Sequence, residues 1–216
     1  KTLYLFIGLS VLFNYNIIVF SADTYKWSTT PDSLETSTST SEPITPNNAL
    51  NLQSGAAILI DQNSGQVLYE HNSHEQLRPA SVTKVMSILL IMEALDSGQI
   101  SLEDKVPCSE NASSMGGSQI WLTPSETLTV NEMIKCMCVV SANDCTVAMA
   151  EYLCGSTDAF VAKMNERAKE LGMNDTHFKN CHGIDEDGHV TSAYDISVMS
   201  RELLTCLLYT SPSPRD

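Results

Sequence analysis

The sequence predicts an α+β fold, and two observations carry that prediction. Short apolar runs of strand type come first, between residues 55 and 70, and the later apolar segments recur at helical spacing as far as Leu204. The chain has 216 residues, 43% of them hydrophobic, which is enough for one cored domain with appendages.

Gly55 to Asp61 (GAAILID) and Gln66 to Glu70 (QVLYE) read as two strands, and Asn63-Ser64-Gly65 between them supplies turn chemistry for a hairpin. After Pro79-Ala80-Ser81, the residues Val82, Met86, Leu89, Leu90, Met92 and Leu95 recur as in a helix, which Asp96-Ser97-Gly98 ends. Further helices are expected at 130–139, 143–153, 158–171 and 193–204, with Gly172 closing the third of these four. No internal repeat is present.

The two flanks have other compositions. Lys1 precedes an apolar run from Leu3 to Phe20, interrupted by Ser10 and Asn14 to Asn16 and followed by the small residues Ser21 and Ala22. This is the layout of a secretory signal peptide over 1–22. A permanent anchor would need about 20 uninterrupted apolar residues. Residues 23–50 are rich in Ser, Thr and Pro and read as a linker, leaving 51–205 for the folded part.

Twelve basic against 26 acidic residues give a formal charge of −14. That excludes nucleic acid as a partner, because clustered Lys and Arg are needed to displace its counterions. It also speaks against electrostatic docking on an anionic membrane face. Seven cysteines in an exported chain invite disulfides, but Cys136, Cys138 and Cys145 sit within helix-like apolar stretches and are expected as buried thiols. A pair such as Cys154 with Cys181 stays open. No His/Cys grouping has metal-ligand spacing, so neither a metal nor another cofactor is expected.

The chemistry is concentrated in two short segments. Ser81 and Lys84 stand three apart at the start of a helix and so share a face. A serine hydroxyl is a weak nucleophile until a base takes its proton, and a desolvated lysine can act as that base in its neutral form. Further along, Val139-Val140 leads into Ser141-Ala142-Asn143-Asp144. Ser141 could relay a proton and the Asn143 amide could grip a substrate carbonyl, although Ser and Asn also favour helix N-caps. A second Ser-x-Asn, Ser109-Glu110-Asn111, lies in a polar stretch expected to be a loop and is set aside.

Taken together, Pro79 to Lys84, Gly116-Gly117-Ser118 and Ser141 to Asp144 resemble the D-alanyl-D-alanine carboxypeptidases, the low-molecular-weight penicillin-binding proteins of serine peptidase family S11. Leu171-Gly172-Met173, Thr176-His177-Phe178, His182-Gly183 and Thr191 to Asp195 extend the match in the family's order, over about residues 52 to 204. The resemblance implies a β-lactamase/transpeptidase-like fold, a sheet packed against a helical subdomain. It implies removal of the terminal D-alanine from peptidoglycan stem pentapeptides through an acyl-enzyme on Ser81. Lys84 would be the base, Ser141 and Asn143 the second motif, and β-lactams covalent inhibitors. The family has a His-Gly segment near its cleft, but His182 and Asp185 are left outside the catalytic set. Action on the outer side of the cytoplasmic membrane follows, with membrane association possible through a C-terminal segment further on.

The sequence departs from the family in one respect. The family's third motif, Lys-Thr-Gly on a strand that holds the substrate carboxylate, does not occur, and no Lys follows Lys179. Residues 206–216 (CLLYTSPSPRD) read as a translated sequencing adapter rather than native chain, so the domain is expected to be C-terminally incomplete and this polypeptide nearly inactive. Two rival readings are a class A β-lactamase and a non-catalytic cell-wall-binding module. The first needs a Glu and an Asn at i,i+4, and Glu170 and Asn174 have that spacing, but they straddle a helix end that leads into an expected strand.

Overall fold

The computed structural model describes residues 52–206, and the expected signal peptide, the expected linker and the tail after Cys206 lie outside them. The chain divides into two units at Ser54/Gly55. The second unit, which contains all of the elements below, opens with β1 (Ala57–Ile60) and β2 (Val67–His71), paired antiparallel as expected. The turn between them closes through Gly65 N–H to the Asp61 carbonyl at 2.9 Å, with Gly65 at φ 75°. A Cβ at Gly65 would strike the Arg201 guanidinium, whose Nε donates to the Gln62 carbonyl at 3.0 Å. The hairpin tip is thereby fastened to the last helix.

A one-turn 3₁₀ helix, Ala80–Thr83, runs into α1 (Lys84–Asp96), so the expected helix is in fact two segments with Ser81 in the first. Helix α1 is buried on almost every side, as a helix with apolar residues all round it must be. It ends in a Schellman turn: Gly98, at φ 72°, donates to Leu95, and Gln99 donates to Ala94.

The next stretch holds elements that the sequence did not suggest. Strand β3 (Lys105–Pro107) pairs antiparallel with β4 (Thr127–Thr129), and α2 (Glu110–Ser113) lies between them. This corrects the loop expectation for 109–111, since Ser109 caps α2 through a 2.9 Å bond from Ala112 N–H.

Helix α3 (Val130–Val140) starts from a capping box of Thr129 and Glu132. Helices α4 (Asn143–Cys154) and α5 (Thr157–Glu170) follow, the latter closed by a second Schellman turn at Gly172, whose bonds are Gly172 to Lys169 and Met173 to Ala168. Instead of the strand expected after Met173, single bridges join His177 to Val190 and Leu77 to Thr191. Helix α6 (Ala193–Thr205) completes the unit.

Helices α4, α5 and α6 all pack on α1, and Met86, Leu89, Ile91, Met149, Met164 and Met199 are fully buried between them. Arg167 ties the far end of this cluster, reaching Glu93 at 2.8 Å and Glu202 at 2.7 Å. All seven cysteines are free thiols, so Cys154 and Cys181 are not bridged. Cys108, Cys145, Cys181 and Cys206 are buried, while Cys136, Cys138 and Cys154 are half-buried. Among the described residues no helix is long and apolar enough to cross a membrane.

Candidate active site

Ser81 is exposed at the end of α1, and Lys84, one turn on, is buried at 3% exposure. The Lys84 Nζ lies 3.3 Å from Ser81 Oγ and donates to the His182 carbonyl at 2.7 Å. Burial lowers its pKa to about 8, with the nearby Cys181 thiol opposing the shift. A substantial part of the amine is therefore neutral near pH 8, with a lone pair free to take a proton from Ser81. No carboxylate pairs with it among the described residues.

The backbone around Ser81 is held in an unusual shape. Ala80 has φ 47°, a left-handed conformation uncommon outside glycine. Gly183, at φ 94°, packs directly on it, and a Cβ there would overlap the Ala80 carbonyl and reach Ser81 N at 3.0 Å. The Gly183 N–H donates to Asn180 Oδ1 at 2.7 Å, which fixes this loop. The His182-Gly183 segment thus joins the site through a carbonyl and the lack of a Cβ. The imidazole itself stays neutral, with its pKa lowered to about 4 by burial and by the charge of Lys84. Asp185 lies aside, paired with Arg78 on the surface.

Ser141 and Asn143 occupy the junction of α3 and α4, but neither is an N-cap. Ser141 ends α3 in a left-handed conformation (φ 58°, ψ 39°), and Ala142 holds the N-cap position of α4 with no side-chain bond. Asn143 Nδ2 donates to the Gly116 carbonyl at 2.8 Å and its backbone N–H to the Ser118 carbonyl at 2.7 Å. Gly117 lies so close to that amide that a Cβ would meet Nδ2 at 2.8 Å. Ser141 Oγ and Asn143 Oδ1 are buried with no hydrogen-bond partner. Such groups carry a desolvation penalty of about 1–3 kcal/mol each, which an incoming ligand would relieve. No hydrogen bond links Ser141 or Asn143 to Ser81 or Lys84, so the structure joins the first pair directly and presents the second pair separately.

Asp144, fully buried, accepts from Ile120 and Leu122 N–H at 3.1 Å each and from Cys145 N–H at 2.9 Å. It secures the 118–122 segment over the N-terminus of α4, where a carboxylate is favoured. The Glu170 carboxylate, in turn, is tied to Arg167 at 3.1 Å on the far side of the helical cluster. Among the described residues no group of three or more His, Cys, Asp or Glu is placed to hold a metal ion.

An α+β unit with a serine bonded to a desolvated lysine at the head of a buried helix fits the penicillin-binding, transpeptidase-like class of folds, to which the solved structures similar to it belong. Residues 38–211 match the family model for D-alanyl-D-alanine carboxypeptidase, peptidase family S11, and the chain belongs to that family. It is 56% identical over 149 residues to the carboxypeptidase DacF of Bacillus subtilis, covering 69% of this chain and 38% of that protein. To DacA of Escherichia coli it is 38% identical over 153 residues, covering 68% and 38%. Among solved structures, DacD from Francisella tularensis superposes with a TM-score of 0.72 at 35% identity, covering 77% of this chain and 40% of that one. Penicillin-binding protein D2 from Listeria monocytogenes in its ampicillin-bound form gives 0.64 at 30% identity, covering 74% and 64%. The chain spans about two fifths of the length of the curated relatives it matches.

Proposed function

We propose that the protein is a serine-type D-Ala-D-Ala carboxypeptidase that releases the terminal D-alanine of peptidoglycan stem pentapeptides through an acyl-enzyme on Ser81. The observation that carries this reading is the contact of exposed Ser81 with the buried amine of Lys84, which no carboxylate pairs among the described residues. Lys84 takes the hydroxyl proton as Oγ attacks the penultimate carbonyl, and the C–N bond to D-alanine breaks as that amine receives a proton. Ser141, with a buried and unpartnered hydroxyl, is the relay for that second transfer. Water then cleaves the ester and restores Ser81. The unpartnered Oδ1 of Asn143 suits a peptide N–H of the substrate, and the second hydrogen of its Nδ2 suits a carbonyl.

The same geometry would leave a β-lactam as a stable acyl adduct, and the ampicillin-bound Listeria relative supports that expectation. Residues 1–22 as a signal peptide and 23–50 as a linker would place the enzyme outside the cytoplasmic membrane, with 51–205 as its partial catalytic domain and 206–216 as non-native sequence. Membrane association through a segment beyond these residues belongs to the same reading.

The test is D-alanine release from a pentapeptide ending in D-Ala-D-Ala, measured on the full-length gene product and its Ser81→Ala variant. Release that Ser81→Ala abolishes supports the proposal. Equal release by both would overturn it, and rapid hydrolysis of the penicillin adduct would favour a β-lactamase instead.

A further inference from the structure

Thr83 and His189 are both buried, at 0% and 1% exposure, and neither contacts the Lys84 amine or the second motif through a hydrogen bond. They lie in one oriented chain of hydrogen bonds. The Lys179 N–H donates to His189 Nδ1 at 2.9 Å, so the remaining ring proton of the neutral imidazole sits on Nε2. That Nε2 lies 2.7 Å from Thr83 Oγ1, which itself donates to the Ala80 carbonyl at 2.8 Å. Each group therefore has a single available direction. The chain ends on the same Ala80 carbonyl that packs against Gly183, in the residue with φ 47° immediately before Ser81.

We propose that His189 is a positioning residue for the nucleophile: through Thr83 it holds the Ala80 carbonyl, and with it the strained turn that presents Ser81 to Lys84. This rests on the reading of Ser81 as the nucleophile and deepens it. A left-handed Ala persists only where its surroundings over-determine it, and the relay supplies one of the two restraints visible around that carbonyl. Protonation would break the relay, because a hydrogen on Nδ1 would face the Lys179 N–H. Burial opposes that protonation, Glu186 and Asp185 favour it, and His177 opposes it, with a net lowering of the pKa. His182 is coupled to His189 from the neighbouring loop. The turn is therefore intact at neutral pH and is released in acid, below the ordinary histidine range.

The experiment measures acylation by a fluorescent penicillin against pH for the full-length gene product and four variants, His189→Gln, His189→Phe, Thr83→Ser and Thr83→Val. Hydrogen exchange at the amides of residues 81–83 is read alongside. Gln keeps an N–H donor for Thr83 but does not titrate, and Ser keeps the hydroxyl. The parent should show a slope of log rate on pH that steepens from about one to about two in acid, and His189→Gln should stay at one with a neutral-pH rate within about threefold of the parent. His189→Phe and Thr83→Val should lose tenfold or more in acylation rate and exchange the 81–83 amides at least tenfold faster, while Thr83→Ser tracks the parent. Unchanged exchange and an unchanged pH slope in His189→Phe and Thr83→Val would overturn the proposal. If no variant and not even the parent is labelled, the nucleophile reading fails, and the exchange measurement still decides whether His189 holds the turn.

Discussion

At the scale of single residues, Lys84 is where function works against stability. Its folded pKa of about 8 lies below the ordinary 10.5, so folding favours the neutral amine. The resulting penalty is full below pH 8, fades as pH rises to about 10.5, and amounts to about 3 kcal/mol at neutral pH. Lys84→Met should therefore unfold at higher temperature at pH 7, by a stability gain of roughly 1–3 kcal/mol, while losing penicillin acylation entirely. In the parent protein the acylation rate should climb with pH to a plateau, with its midpoint near 8. Gly183→Ala should destabilise by roughly 2–4 kcal/mol in denaturant titrations and slow acylation with it, since both its φ and its contact with Ala80 exclude a side chain. Ser81 and Lys84 were legible because their spacing alone puts two reactive side chains on one helical face. The His182 carbonyl, the bare Cα of Gly183 and the Thr83–His189 relay were not, since motif reading counts side chains at short spacing. These groups act through backbone atoms or across a hundred residues of chain.

The elements show the same division. The helices that the pattern predicted begin and end within a residue or two of the structure, because Gly98 and Gly172 terminate them by a local mechanism. Strands β3 and β4 have three residues each, too few for alternation to show, and they pair across the nineteen intervening positions 108–126. The second motif was legible as sequence, but its local structure was not: the N-cap position that Ser and Asn favour falls to neither, Ser141 closing α3 in a left-handed conformation while tertiary contacts with Gly116 and Ser118 hold Asn143. Asp144 is the keystone of that junction. Asp144→Ala would leave the Ile120 and Leu122 N–H groups without their acceptor, and a loss of roughly 2–4 kcal/mol is expected by thermal unfolding, with faster hydrogen exchange at those two amides. Stability unchanged within 0.5 kcal/mol, a bound set by ordinary surface substitutions, would show that the carboxylate is not needed there.

For the whole molecule, α1 carries both the core and the chemistry. Its buried sides order α4, α5 and α6, and the 3₁₀ turn at its head presents Ser81, so the proposed nucleophile is fixed to the buried centre of the unit. The 216 residues contain no Lys-Thr-Gly. One oxyanion donor is worth about a hundred- to a thousandfold in rate, and the resemblance drawn from the sequence implies that the strand of the third motif supplies one. A polypeptide of these residues alone should accordingly release D-alanine at least about a hundredfold more slowly than the full-length gene product, in a direct comparison of the two. The most direct test of the central claim is peptide mapping by mass spectrometry of the full-length gene product after brief exposure to a penicillin. The account predicts one adduct, on the peptide containing Ser81, absent in Ser81→Ala and strongly reduced in Lys84→Met. An adduct on any other residue, or one that survives Ser81→Ala, would contradict it.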